Sequence, residues 1–299
     1  MRISERQKYW IANRRIDKGR SDNTQALDIL STQKRINKLH DDPIGVVRSL
    51  KLKDRLSEIK AFKENIDYSK GFLDVTETAI SNLHQRLERA QELAISMAND
   101  TYDGINRNIT AKEVKEIMNE VSSLANSKYG AKYVFSGFRS LSPAVDLEGN
   151  FLGDDGQIFL QIGEEQYKRI NIPGRELFEA NPEERKEGHF NLIDALGLLL
   201  HGLNHDDKDA IYKSIGEFSF QLDKLSSFQA SVGATWKAIE DADQKLDYDE
   251  LQKNTFLSKI EDADIYKATS DFKRTEAVLQ STLLASNKLL QPSLLNFLQ

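Results

Sequence analysis

The stretch IKAFKENIDYSKGFLDVTETAISNLHQRLERAQELAISM, residues 59–97, decides how this chain is built. From Phe62 onward, Ile66, Ser69, Leu73, Thr76, Ile80, Leu83, Leu87, Ala90, Ala94 and Met97 follow by alternate steps of four and three. That spacing is an a/d seam over about five heptads, and it predicts a long helix packed along a partner helix. Leu52, Leu56 and Ile59 carry the seam back toward Pro43, with one overwound step at Phe62. Turn residues in NDTYDG, 99–104, predict its end there.

A partner of matching length lies near the other end of the chain. Ile211, Ile215, Phe218, Leu222, Leu225, Gln229, Val232, Trp236, Ile239, Asp243, Leu246, Glu250, Lys253, Leu257 and Ile260 keep the same rhythm. After Asp264 the phase moves by one, to Ile265, Ala268, Phe272, Thr275 and Leu279. Glu261–Asp264 is therefore the expected border between two packing environments. A shorter helix is expected from Thr110, where Thr110 and Glu113 have capping-box spacing, to a stop at Gly130.

The middle reads differently. KYVFSGF (132–138), GQIFLQIG (156–163) and QYKRINIPG (166–174) are β-branched and aromatic segments bounded by Gly and Pro. GEE at 163–165 is the expected turn, NPEERKEG at 181–188 a polar loop, and NLIDALGLLLHGL a return to helix. The fold class that follows is mainly α. Long antiparallel helices form a coiled coil and a helical bundle, with a small β-rich inserted domain in the middle.

Composition agrees with long helices: 29% of residues are charged and only 5 of 299 are proline. The net charge is −6, but the first 60 residues hold 15 Lys and Arg against 8 Asp and Glu. These cations are dispersed rather than clustered, so neither nucleic acid nor membrane insertion is expected. There is no cysteine, which excludes disulfides and thiolate chemistry. MRISERQKYWIANRR lacks the apolar core of a signal peptide, so any export is expected to use a route without a cleaved leader.

Sites of chemistry are sparse. His201 and His205 stand at i, i+4 like zinc ligands, yet no Glu follows His201, and Gly202 and Asn204 read as a helix ending. Asp241, Asp243, Asp247 and Asp249 resemble a calcium loop, but Leu246 replaces the required Gly and the heptads continue through them. Leu152–Gly156 leads into a strand and reads as a turn, not a phosphate cradle. No catalytic cluster, metal or cofactor is expected.

KRINKLHDDP, 34–43, could hold a base beside two carboxylates, but it reads better as a joint. Asp42 suits an N-cap, Pro43 the first helical position, and Asp41 adds favourable charge at the helix start. Lys34, Arg35 and Lys38 are expected toward the end of the preceding helix, with His40 solvated. The tail 280–299 holds seven Leu and one Phe distributed all round a helix, which is apolar for a free terminus.

MRIS, residues 30–67, SLANSKYGAKYVFSGF (123–138), QASVGATWKAIEDADQKLD (229–247) and residues 258–286 resemble, in order, the bacterial flagellin superfamily. Asp-Asp-Pro at 41–43, YVFSG at 133–137 and the compact length bring the match closest to its hook–filament junction branch. Gln33 stands where the family commonly has Gly, and Pro292 interrupts the last helix.

The resemblance implies a terminal coiled coil of 1–42 with 265–299, a helical bundle of 43–138 with 205–264, and a variable outer domain at 139–204. It implies subunit-assembly residues Ile3, Trp10, Leu27, Leu30, Leu279, Leu283, Leu290, Leu294 and Phe297, with Asp41, Asp42 and Pro43 as hinge and helix cap. It also implies terminal segments that order only on assembly. The implied partners are other copies in a ring of about eleven, hook-associated protein on one side and flagellin on the other. An export chaperone would bind the C-terminal helix, and export would use the flagellar type III route to the extracellular flagellum.

Overall fold

A computed structural model of the chain describes residues 2–99, 104–146 and 149–290, without the side chains of 2–6, 8, 289 and 290. The elements in order are α1 (Arg2–Thr32), α2 (Pro43–Ala98), α3 (Gly104–Ala125), β1 (Lys128–Tyr129), β2 (Lys132–Tyr133), β3 (Phe159–Gly163) and β4 (Gln166–Arg169), followed by α4 (Gly174–Phe178), α5 (Pro182–Glu187), α6 (Leu192–His205), α7 (Lys208–Glu261) and α8 (Ile265–Leu290). The chain divides into two compact units, Met1–Glu58 with Tyr248–Gln299, and Ile59–Asp247. The border falls inside α2 and inside α7.

In the second unit α2 and α7 run antiparallel. Lys63 pairs with Asp247 at 2.7 Å, Lys70 with Asp243 at 2.5 Å, and Gln91 bonds Ser219 at 2.8 Å. Every seam position of α2 from Ile66 to Met97 is buried. On α7, Ile211, Phe218, Leu225, Val232, Ile239 and Leu246 are buried at strict heptad spacing, while Ile215, Leu222 and Trp236 are half-buried. The polar seam residues Ser69 and Thr76 are buried by turning their hydroxyls onto the carbonyls of Asn65 and Phe72.

Residues 139–204 lie within this second unit and share its core through Ala144, Val145, Ile162, Ile170, Leu177 and Leu196. The β content is smaller than the sequence suggested. Among the described residues there are two separate two-stranded antiparallel hairpins, β1–β2 and β3–β4. The segments 132–138 and 166–174 are strand only at Lys132–Tyr133 and Gln166–Arg169. Gly156 and Asn171 explain part of this, because the Asn171 side chain bonds Ile158 N–H and Gly156 O in place of a ladder.

Three further expectations are corrected. First, α3 starts at Gly104, six residues before the Thr110 box. The earlier start lets buried Arg107 donate to Met97 O at the end of α2, and Glu113 pairs with Arg89 instead of capping. Second, α3 ends at Ala125, not Gly130; Asn126 leaves the helix to accept the Ala144 and Val145 N–H groups, and Gly130 turns β1 into β2 at φ 61°. Third, 181–188 is not a loop but α5. Its Glu184 carboxylate accepts the Asn181 N–H at 2.8 Å, and Gly188 closes it in the left-handed region.

Candidate functional site: the terminal helix pair and its joint

The first unit carries the expected assembly residues and the joint. α1 and α8 pack antiparallel, with Leu279 against Gly19 and Asn23 Nδ2 donating to Thr275 Oγ1 at 3.4 Å. The pairing is built on small side chains. Ala12, Ala26, Ala268 and Ser286 are its buried residues among the described ones. An apolar groove of about 580 Å³ opens between Ile11, Ala12 and Arg15 on one side and Ala277, Val278, Ser281 and Ala285 on the other.

The expected assembly residues divide accordingly. Trp10 is 59% exposed with the Arg14 guanidinium 4.8 Å over its ring, and Leu27 is 46% exposed. Leu30 and Leu279 are half-buried, and Leu283 is exposed beside Leu284. Ile3 and Leu290 lie on α1 and α8, but their side chains, like Leu294 and Phe297 entirely, fall outside the described residues. Further apolar side chains are exposed on the same unit at Leu39, Ile44, Val47, Leu50 and Tyr266.

The joint between α1 and α2 is tightly specified. α1 stops at Thr32 because Gln33 takes φ 57°, a left-handed conformation that costs a non-glycine residue free energy. Asp42 Oδ1 accepts the Gly45 N–H at 2.9 Å, and Pro43 opens α2 where its missing N–H breaks no bond. Asp41 does not spend its charge on the helix start. Its Oδ2 accepts the N–H groups of Lys38 and Asn37, which holds its carboxyl below the usual carboxylate range. The Gly45 N–H bond, ahead of the Arg35 pair, lowers the Asp42 carboxyl as well. A Cβ at Gly45 would stand 2.7 Å from Ile36 Cδ1, so the loop lies directly on α2.

Lys34, Arg35 and Lys38 correct the expectation that they close the preceding helix. All three lie beyond it; Lys34 and Arg35 face the α7–α8 break, while Lys38 pairs back to Asp28 of α1 at 3.3 Å. Gln33 O accepts the Ala263 N–H at 2.9 Å, and Arg35 N–H donates to Glu261 O at 2.6 Å. Arg35 Nη2 donates to Ile260 O at 2.9 Å, so the joint caps the last carbonyls of α7. On the far side of the break, Asp264 Oδ1 accepts the Tyr266 and Lys267 N–H groups and starts α8.

Glu261 is the centre of this arrangement and is only 5% exposed. Its carboxylate pairs with Lys34 Nζ at 2.8 Å and with Lys53 Nζ, and it accepts from Ser49. Burial alone would raise its pKa, but the bonds from Lys34, Lys53 and Ser49 outweigh burial and hold it at about 2. The pairing with Glu261 in turn raises the Lys34 ammonium. Sequence reading missed Glu261, Lys53 and Ser49. The available signal was Ser49 at a seam position three before Leu52, and the phase change beginning at Glu261.

His40 is exposed beside Asp41 and joins no cluster. His201 and His205 stack their rings 4.3 Å apart at the end of α6, where Asp206 closes the helix in the left-handed region. Among the described residues no group of three His, Cys, Asp or Glu side chains could hold a metal, and no helix is long and apolar enough to cross a membrane.

Two predictions follow from the joint. Gln33→Gly removes the left-handed penalty and is expected to stabilise the first unit by about 0.5–1 kcal/mol, read by hydrogen exchange at 34–37. Asp42→Ala leaves the Gly45 N–H without its acceptor; exchange at Gly45 will rise and Tm will fall by a few degrees.

Comparison with known proteins places these helices in context. The N-terminal helical region of bacterial flagellin matches residues 3–140, and the C-terminal helical region matches 217–298. Flagellin FlaB1 of Treponema pallidum is 24% identical over 283 residues, 92% of this chain and 92% of its own length. Flagellar hook-associated protein 3 of Salmonella typhimurium is 21% identical over 271 residues, covering 85% of this chain and 86% of its own. The crystal structure of flagellar hook-associated protein 3 from Legionella pneumophila has a TM-score of 0.62 at 16% identity, over 70% of this chain and 98% of that one. With both ends matched in order, and with long helices carrying both matches, the chain belongs to the bacterial flagellin family of flagellar structural proteins and is not an enzyme.

Proposed function

We propose that this chain is the junction subunit between the hook-associated protein of the hook side and the flagellin filament. The observation that carries the reading is the exposed apolar surface along both terminal helices, at Trp10, Leu27, Leu283 and Leu284. Such surface on a paired helix unit needs another copy or a neighbouring subunit to cover it. The likeness in fold to a hook-associated protein 3, nearly the whole of which this chain covers, supports junction over filament.

In this reading the three-part layering of 1–42 with 265–299, 43–138 with 205–264, and 139–204 runs from inner tube to outer surface. Side contacts that do not close on themselves build the tube, and a ring of about eleven copies adapts one lattice to the other. A chaperone holds about Asp264–Gln299 before export through the flagellar type III channel, and the protein then resides in the extracellular flagellum. Load passes through long helices and broad contact surfaces, with no chemical step.

The test is deletion with electron microscopy. Loss of the protein will leave hooks without filaments and release flagellin to the medium. A tag in α5, whose residues are all unburied, will mark a single band at the hook end of the flagellum. A second reading, flagellin itself, is favoured by the comparable identity to FlaB1; labelling along the whole filament would establish it. A displayed adhesin would instead show ligand binding that depends on residues 139–204.

A further inference from the structure

The second unit holds a polar cleft of about 570 Å³, where α5, the loop 188–191 and the start of α6 meet α7. Arg185, His189, Phe190, Asn191, Asp194 and Lys213 line it. That volume is in the range of sites that take small ligands. The loop is held from beneath by α7. Glu217 is buried, and its carboxylate accepts the Phe190 N–H at 3.0 Å and meets His189 Nδ1 at 3.2 Å. Gln221, one turn on and also buried, donates to Phe190 O at 2.8 Å. The His189 ring stacks on Phe220 with centroids 3.8 Å apart. A carboxylate only accepts, so Nδ1 carries the proton of the Glu217 bond, and Nε2 is left for another partner. Asn191 is divided in the same way: its Oδ1 accepts the Ala180 N–H at 2.8 Å, and its Nδ2 has no bond among the described residues.

Two cations complete the lining. Lys213 Nζ lies 4.7 Å from the centroid of the Phe190 ring. Lys213 and Arg185 are both exposed, and neither has an ion pair among the described residues. Acids nearby are already committed, Glu217 as above and Glu184 to the Asn181 N–H and to Lys224 at 2.9 Å. Asp194 is the only acid among the lining residues.

We infer that this cleft binds a small sugar acid, its carboxylate between Arg185 and Lys213 and its hydroxyls on Asp194, Asn191 Nδ2 and His189 Nε2. The lining selects that chemistry. A guanidinium offers a planar fork to a carboxylate, and an ammonium adds a point charge. A hydroxyl donates to Asp194 or to Nε2 and accepts from the amide, whereas a ligand ammonium only donates and would be repelled by both cations. Two cations against one carboxylate favour a ligand of net negative charge. A singly charged carboxylate suits the neighbouring Asp194 better than a phosphate, which carries up to two charges. The site stands whether the chain serves the junction or the filament.

Titration of the full chain with glucuronate, read by calorimetry and by the His189 ring proton signals, tests it. Saturable binding that moves the His189 signals is expected. Glucose lacks the carboxylate and acetate lacks the hydroxyls, so each is expected to bind at least about tenfold more weakly. Arg185→Gln and Lys213→Gln are each expected to weaken glucuronate about tenfold or more with Tm unchanged, because both side chains are exposed. Lys186→Gln, which removes an exposed neighbouring charge outside the lining, is expected to bind as wild type. The inference is overturned if glucuronate does not saturate by about 10 mM, or if it binds without moving the His189 signals. Equal binding of glucose or acetate would also overturn it. Tighter binding of inorganic phosphate would make the cleft a general anion site, and equal weakening by Lys186→Gln would assign the effect to the net charge of α5; either result overturns it.

Discussion

A chain ending before Leu283 will fold and will not assemble. The segment removed contributes little to the internal packing described, since Ser286 is the only buried residue among its described side chains. The second unit, with its continuous core from Ile66 to Met97 on α2 and from Ile211 to Leu246 on α7, does not use it. Its melting transition is therefore expected to be unchanged. What the truncation takes away is a leucine-rich segment. Leu283 and Leu284 are exposed, and Leu289, Leu290, Leu294, Leu295, Phe297 and Leu298 follow in the sequence. Burying a leucine against a neighbour contributes about 1.5–3 kcal/mol, so even three such side chains supply about 5 kcal/mol or more per contact. At about 1.4 kcal/mol per tenfold, that is over a thousandfold in association. Counting filament-bearing cells after complementation with the truncated gene checks it. A full complement of filaments would remove the terminal helices from the assembly surface, and a collapsed second unit would show the tail to be part of the core.

The long seams were legible because they repeat. A single polar residue at Ser69 or Thr76 does not disturb a pattern sampled ten times, and the burial of α2 follows the pattern position by position. The break at Glu261–Asp264 was also legible, as a change of phase. Short elements gave no such redundancy. Thr110 and Glu113 have the spacing of a capping box, but tertiary contacts of Arg107 pull the helix start back to Gly104. The charge of NPEERKEG suggested a loop, although Asn181, Pro182 and Glu184 are the N-cap, N1 and N3 residues of a helix start. In that case the local signal was present and composition outweighed it. The Glu261 cluster was hidden for another reason. Its bonds join Lys34 and Glu261, which are 227 residues apart, and no periodicity reports a contact of that span. The turn at Gln33 was not read either, although Gly, common in the family at that position, is the residue that takes the left-handed conformation found there most readily.

Glu261→Gln is expected to be the most damaging single substitution in the first unit, and its effect will depend on pH in a defined direction. The folded carboxyl titrates at about 2 against an ordinary 4.5. A folded pKa below the unfolded one stabilises the fold at every pH above the unfolded value. The contribution is thus complete above about pH 4.5, falls between 4.5 and 2, and is gone below 2. Its upper bound from that displacement is about 3 kcal/mol. Lys34 and Lys53 are each 45% exposed at the side chain, so solvent weakens their attraction, and about 2 kcal/mol is the expected loss. The glutamine keeps the shape and can still bond Ser49, but it leaves the two ammonium groups without their shared anion. Hydrogen exchange at 46–58, corrected for the intrinsic rate, reads the opening free energy of this part of α2. Wild type and Glu261→Gln will differ by the full amount at pH 6, converge as the pH falls from 4.5, and coincide below 2, where the wild-type carboxyl is itself protonated. A difference that persists undiminished at pH 2 would assign the effect to packing rather than charge. Equal exchange at pH 6 would mean that the backbone stem, through Gln33, Arg35 and Ala263, holds the joint without the carboxylate.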